Sequence, residues 1–138
     1  MPFLNVYLNF EGTAEKAFTF YKSIFGGEFS AFSRFSDMPG EAPFPPEFSE
    51  RILHVSLPVG EHCVLMGSDC PPDFKGVAGN LFNVSIAIHD REEASRLFHA
   101  LSADGEIIMP LEDTFWNSYF GMVRDQFGVQ WMVDCAAQ

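Results

Sequence analysis

The stretch LNVYLNFEGTAEKAFTFYKSIFGGEF, Leu4 to Phe29, changes its period partway along. Leu4, Val6, Leu8 and Phe10 take every second position, with Asn5, Tyr7 and Asn9 between them, which is the pattern of a strand with one apolar face. From Ala14 the spacing becomes helical, and Ala14, Ala17, Phe18, Tyr21 and Phe25 fall on one side. Thr13 stands where an N-cap belongs, Glu15 lies in the first turn, and Gly26–Gly27 can take the left-handed conformation that ends a helix. The aromatic helix is expected to cover the apolar face of the strand.

The pattern returns 78 residues later, in FNVSIAIHDREEASRLFHALSADGEI, Phe82 to Ile107. The two stretches align without a gap. Asn5 meets Asn83, Val6 meets Val84, Glu15 meets Glu93, Phe20 meets Phe98, and Gly27–Glu28 meets Gly105–Glu106. Phe82, Val84, Ile86 and Ile88 alternate with Asn83, Ser85 and Ala87. Asp90 and Glu93 form a capping box ahead of a face made of Ala94, Leu97, Phe98 and Leu101. Identities alone would be thin; the shared order of elements makes an internal duplication the better reading.

Three strand-like segments follow each helix: GEFSAFSRFS, RILHVSLPV and HCVLMGS in the first half, GEIIMPLE, FWNSYFGMV and GVQWMVD in the second. DMPGEAPFPPEFSE, with four prolines, reads as a surface loop inside the first half, and DCPPDFKGVAGN as a Pro/Gly-rich connector between the halves. The chain is therefore an α+β protein of two tandem βαβββ modules, about 1–68 and about 80–138. At 138 residues they are expected to form one domain.

Composition narrows the function. Eight Lys and Arg against nineteen Asp and Glu, a net charge of −11, argue against nucleic acid, whose phosphates need clustered cations. No apolar run approaches the length of a membrane span, and MPFLNVYLNF lacks the basic start of a signal peptide, so no membrane partner and a cytoplasmic location are expected. Cys63, Cys70 and Cys135 are odd in number and lack C-x-x-C spacing, which signals neither a disulfide framework nor zinc.

Strand parity supplies a candidate site. If the helices take the apolar faces, the opposite faces receive Asn5, Tyr7 and Asn9 from one module and Asn83, Ser85 and Ala87 from the other. Opposite Leu53, Val55 and Leu57 stand His54 and Ser56. An offset of 66 matches Met66 to Met132 and His54 to Phe120, which adds Trp116, Ser118, Phe120 and Gln130. Amides, hydroxyls, an imidazole, thioethers and rings make the mixed lining of a small-molecule pocket. Each has a structural alternative: Asn5 and Asn83 bonding each other or water, His54 as a satisfied structural residue, Met66 and Met132 as adaptable filler. No Ser–His–Asp arrangement, Walker loop or metal-ligand spacing is present.

Two βαβββ modules in this length resemble the vicinal oxygen chelate superfamily of glyoxalase I, extradiol dioxygenases and bleomycin-resistance proteins. YLNFEGTAEKAFTFYKSIFGGE, ILHVSLPVG, LMGSD and VRDQFGVQWMV look like its PhnB-like group, some members of which carry a demethylubiquinone methyltransferase label. The resemblance implies curved mixed sheets around a concave cavity. It also implies that the metal ligands of metal-using members correspond here to Asn5, Met66, Asn83 and Met132. Amides and thioethers suit no hard dication, so no metal and no cofactor are expected. Nor does a glycine-rich loop follow a strand, as S-adenosylmethionine binding would require.

The expected function is metal-independent binding of a small organic ligand, with acidic charge and aromatic walls suited to a planar or cationic molecule. The alternative is an enzyme acting on a small carbonyl or phenolic substrate, with His54 or Tyr7 moving a proton. Exposed sheet edges and aromatic surface predict a homodimer.

Overall fold

The alternation at the start of each module becomes a strand laid beside the last strand of the same module. The computed structural model describes residues 2–40 and 45–136, and the chain divides into two units, 1–77 and 78–138. The first contains β1 (Val6–Phe10), α1 (Ala14–Phe25), β2 (Ala31–Arg34), β3 (Ile52–Val59) and β4 (Cys63–Asp69). The second contains β5 (Val84–Ile88), α2 (Arg91–Ser102), β6 (Glu106–Asp113), β7 (Ser118–Arg124) and β8 (Gln130–Ala136). Each unit forms a four-stranded sheet, ordered β1-β4-β3-β2 and β5-β8-β7-β6, with a parallel first pair and antiparallel neighbours after it. The βαβββ reading holds for both.

The duplication is visible in the register. Tyr7 pairs with Met66, and Ser85 pairs with Met132. Both offsets read from the sequence, 78 on the first strands and 66 on the last, are thus satisfied at one point of the ladder. The reversed pattern of exposure follows: in β1, Tyr7 and Asn9 are exposed while Phe10 is buried.

Each helix docks through a ring set into a glycine notch. Phe18 is wholly buried, and a Cβ on Gly67 of β4 would stand 2.6 Å from its ring. Phe98 is almost as buried, and a Cβ on Gly121 of β7 would stand 2.5 Å from its ring. The two notches occupy the same cross-strand row on different strands. In the first unit the row runs Leu8–Gly67–Val55, and in the second Ile86–Val133–Gly121. Around Phe18, Phe10 and Tyr21 pack edge-on with ring centroids 6.2 and 5.5 Å away.

Several local expectations are corrected. Ile24, rather than Phe25, completes the buried face of α1. Thr13 makes no capping bond; the β1–α1 junction is held instead by Asp69, which accepts from the N–H groups of Gly12 (2.8 Å) and Ala14 (3.0 Å) with one oxygen and from Ile52 (2.9 Å) with the other. Asp90 caps α2 through the Glu92 N–H, but Glu93 turns to Arg96, so the box lacks its return half. A bulge between Ser33 and Arg34 makes Ile52 the fully buried residue and leaves Leu53 partly exposed. The proline-rich loop contains short 3-10 turns at Phe35–Asp37 and Pro46–Phe48, and its residues 41–44 lie outside the described residues. Among the described residues no helix is long and apolar enough to cross a membrane.

Phe18→Ala and Phe98→Ala should each cost about 3–5 kcal/mol, because each empties a ring-sized notch between helix and sheet. Urea denaturation midpoints check this; a small shift at either site would mean that its helix docks by other contacts.

Candidate functional site

With odd-numbered β4 residues turned to α1, the even-numbered ones rise from the open face of the first sheet. Tyr7, Met66, Ser56 and Ala31 are successive cross-strand partners and form one row there. His54 stands two residues along β3 from Ser56. Its Nδ1 lies 3.3 Å from the Tyr7 hydroxyl and its Nε2 lies 3.1 Å from Ser56 Oγ, while the Tyr7 and His54 rings stack with centroids 5.8 Å apart. Each group in this chain can both donate and accept, so it can pass a proton between Tyr7 and Ser56 through the imidazole. Asn5 sits one residue before β1, exposed.

The open face of the second sheet carries three rows. Ser85, Met132, Met122 and Met109 are successive partners, so three thioethers lie side by side. Toward one end, Arg124 pairs with Gln130 in the ladder and donates to its Oε1 at 2.6 Å, and Gln130 Nε2 donates to Asn83 Oδ1 at 3.2 Å. Toward the other end run Ala87, Asp134, Phe120 and Glu112. Trp116 belongs to the turn before β7 rather than to the strand. It keeps half its surface exposed and packs edge-on against Phe120, centroids 5.8 Å apart.

Strand register puts Tyr7, Asn9, Ser56 and Met66 on one face of the first sheet and Ser85, Ala87, Phe120, Gln130 and Met132 on one face of the second, whereas Ser118 lines the cavity beside α2 described below. Others were missed, among them Ala31, Met109, Glu112, Met122, Arg124 and Asp134. Met122, Arg124 and Asp134 follow by counting two from Phe120 and Met132. Met109 and Glu112 do not, because two register shifts in β6 reverse its parity. Two buried aspartates were missed as well, and both are structural. Asp69 holds the β1–α1 junction, and Asp125 accepts from the N–H groups of Phe127 and Val129 and from Trp131 Nε1.

The donors at Asn5, Met66, Asn83 and Met132 are neutral amides and thioethers, which do not fit a hard dication. Among the described residues, no three of His, Cys, Asp or Glu cluster closely enough to hold a metal ion. Burial pushes the Cys70 thiol up, away from reactive thiolate chemistry. A cavity of about 710 Å³ opens in the second unit, beside the start of α2 and on the helix side of the sheet. Its charges are spent on each other: Arg91 meets Asp113 at 2.7 Å and lies 3.9 Å over the Tyr119 ring. Among the described residues, the buried side-chain atoms without a hydrogen-bond partner, Arg124 Nε and Asp134 Oδ1, are on the open face instead.

Mixed four-stranded sheets with one covering helix each, repeated in tandem, define the glyoxalase/bleomycin resistance type of fold. The chain belongs to the family whose model is described as 3-demethylubiquinone-9 3-methyltransferase, matched over residues 3–134, the PhnB-like group of the vicinal oxygen chelate superfamily. It is 31% identical to protein YjdN of Escherichia coli (strain K12), over all of this chain and 97% of that one. Protein PA1353 of Pseudomonas aeruginosa superposes with a TM-score of 0.89 at 36% identity, covering all of both chains. A PhnB protein of Bacillus cereus, titled a putative 3-demethylubiquinone-9 3-methyltransferase, gives 0.76 at 29% identity, over 96% of this chain and 98% of that one. A glyoxalase family protein of the same organism shares the fold, with a TM-score of 0.69 at 14% identity, over 100% and 96%.

The two kinds of polar residue should respond differently to substitution. Tyr7→Phe removes one partly exposed hydrogen bond and should cost no more than about 1 kcal/mol. Asp69→Ala strands three backbone donors and should cost about 3–5 kcal/mol. Chemical denaturation of both variants checks the contrast; equal losses would make Tyr7 a structural residue.

Proposed function

We propose that the chain is a single cytoplasmic domain that binds a small organic molecule, planar or cationic, without metal or cofactor, and works as a homodimer. The observation that carries this reading is the matched pair of rows Tyr7–Met66–Ser56 and Ser85–Met132–Met122. Thioethers provide an adaptable, polarizable wall, and the flanking hydroxyls, amides and imidazole provide a few orienting groups. The methyltransferase description of the family is not needed for this reading. Dimerisation is supported by two of the four outer strands, where Phe32 on β2 and Ile107, Ile108 and Met109 on β6 are all at least 38% exposed.

The second reading is an enzyme acting on a small carbonyl or phenolic substrate. The Tyr7–His54–Ser56 chain favours it, since a proton could enter or leave through the exposed Tyr7 hydroxyl.

Native mass spectrometry of protein purified from its own host should reveal an organic adduct that denaturation releases, with no stoichiometric metal by elemental analysis. One tightly held equivalent of divalent metal would contradict the proposal, and a released compound that the protein converts on incubation would promote the enzyme reading. Light scattering should give twice the 15.5 kDa mass of one chain; a monomer at micromolar concentration would remove the dimer.

A further inference from the structure

We infer that the open face of the second sheet recognises an organic ammonium ion with an apolar body, held at Asp134 and Trp116. The inference rests on the small-molecule reading above and assigns that site its chemistry.

Asp134 carries it. The residue lies on β8 between Ala87 and Phe120 in the cross-strand row, two positions from Met132 and on the same face. Its Oδ1 is buried and has no hydrogen-bond partner. A carboxylate oxygen withdrawn from water without a donor is unfavourable, and proteins keep such groups where something else supplies the donor. The chain's two buried aspartates make the contrast with this half-buried one: Asp69 accepts three bonds with its two oxygens, and Asp125 likewise accepts three. In the first unit the place equivalent to Asp134, by the offset of 66, is held by the neutral Ser68. The duplicated scaffold therefore does not require an anion there.

What surrounds Asp134 suits an ammonium group. Phe120, the partner of Asp134 on the next strand, packs edge-on against Trp116, and Trp116 is half exposed, so an indole surface is available next to Phe120. Indole is the strongest of the aromatic partners for a cation. Glu112, exposed, is the partner of Phe120 on its other side and adds a second negative charge to the row. The next row is the thioether line of Met132, Met122 and Met109, a surface for an apolar body of variable shape. Cation head, ring and flexible wall are thus laid out in adjacent rows of one sheet.

The probes are 2-phenylethylamine, charged at neutral pH, and 2-phenylethanol, its neutral counterpart of similar size. Both are titrated into the intact protein and followed by amide NMR shifts. The amine should bind about tenfold tighter than the alcohol, with the largest shifts at Phe120, Met132 and Asp134. Asp134→Asn should bring the amine to within about twofold of the alcohol and leave the alcohol unchanged. Equal binding of both probes to the wild type overturns the cation assignment while the small-molecule reading stands; no binding of either, or shifts confined to other faces, overturns both. Thermal unfolding of the ligand-free Asp134→Asn protein supplies a second arm. Its midpoint should hold or rise, and a clear fall would mean that Asp134 has a structural partner and no ligand to wait for.

Discussion

Everything on the open faces depends on how the helices take the opposite ones, and that is decided by a ring seated over a glycine. A helix of about three turns cannot lie flat on a twisted sheet while a large aromatic side chain points into it, unless one strand residue gives up its side chain. Gly67 does so for Phe18, and Gly121 does so for Phe98. The notch fixes which side of the sheet belongs to the helix. Because a strand alternates with a period of two, fixing one residue fixes every other. Tyr7, Ser56 and Met66 then have only one place to go, as do Ser85, Met122 and Met132.

The two units reach this result from different residues. The notch is on β4 in the first and on β7 in the second, so the ring comes from a different position on each helix. The gapless alignment paired Phe98 with Phe20, yet Phe18 is the residue that fills the notch. Divergence also reached the open faces. The first carries a hydroxyl–imidazole–hydroxyl chain, and the second carries thioethers between an amide–guanidinium end and a carboxylate end.

The fold was legible because both halves state their periods plainly: alternation in β1 and β5, three-and-four spacing in α1 and α2. The faces of β3, β4, β5 and β8 were legible for the same reason. The sequence was silent where a long-range partner overrides a local signal. Thr13 looks like a cap, but Asp69, far along the chain, is the better-placed acceptor. Trp116 sits in a stretch with strand character, yet Asn117 takes a positive φ of 66° and the chain turns there. Met109 and Glu112 were hidden by bulges in β6, which change parity without leaving a mark in composition.

The ring-on-glycine seat can be measured directly with a double-mutant cycle on Gly67→Ala and Phe18→Leu. Alone, Gly67→Ala drives a methyl into the Phe18 ring and should cost about 2–3 kcal/mol. Two of the three nearest atoms to that methyl belong to Phe18, the other being the Leu8 carbonyl oxygen at 2.7 Å, so the smaller leucine should relieve much of the strain. The double variant should therefore be more stable than the sum of the single losses by about 1 kcal/mol or more. Additivity within about 0.5 kcal/mol would contradict the account, because the ring and the glycine would then not be in the same constraint.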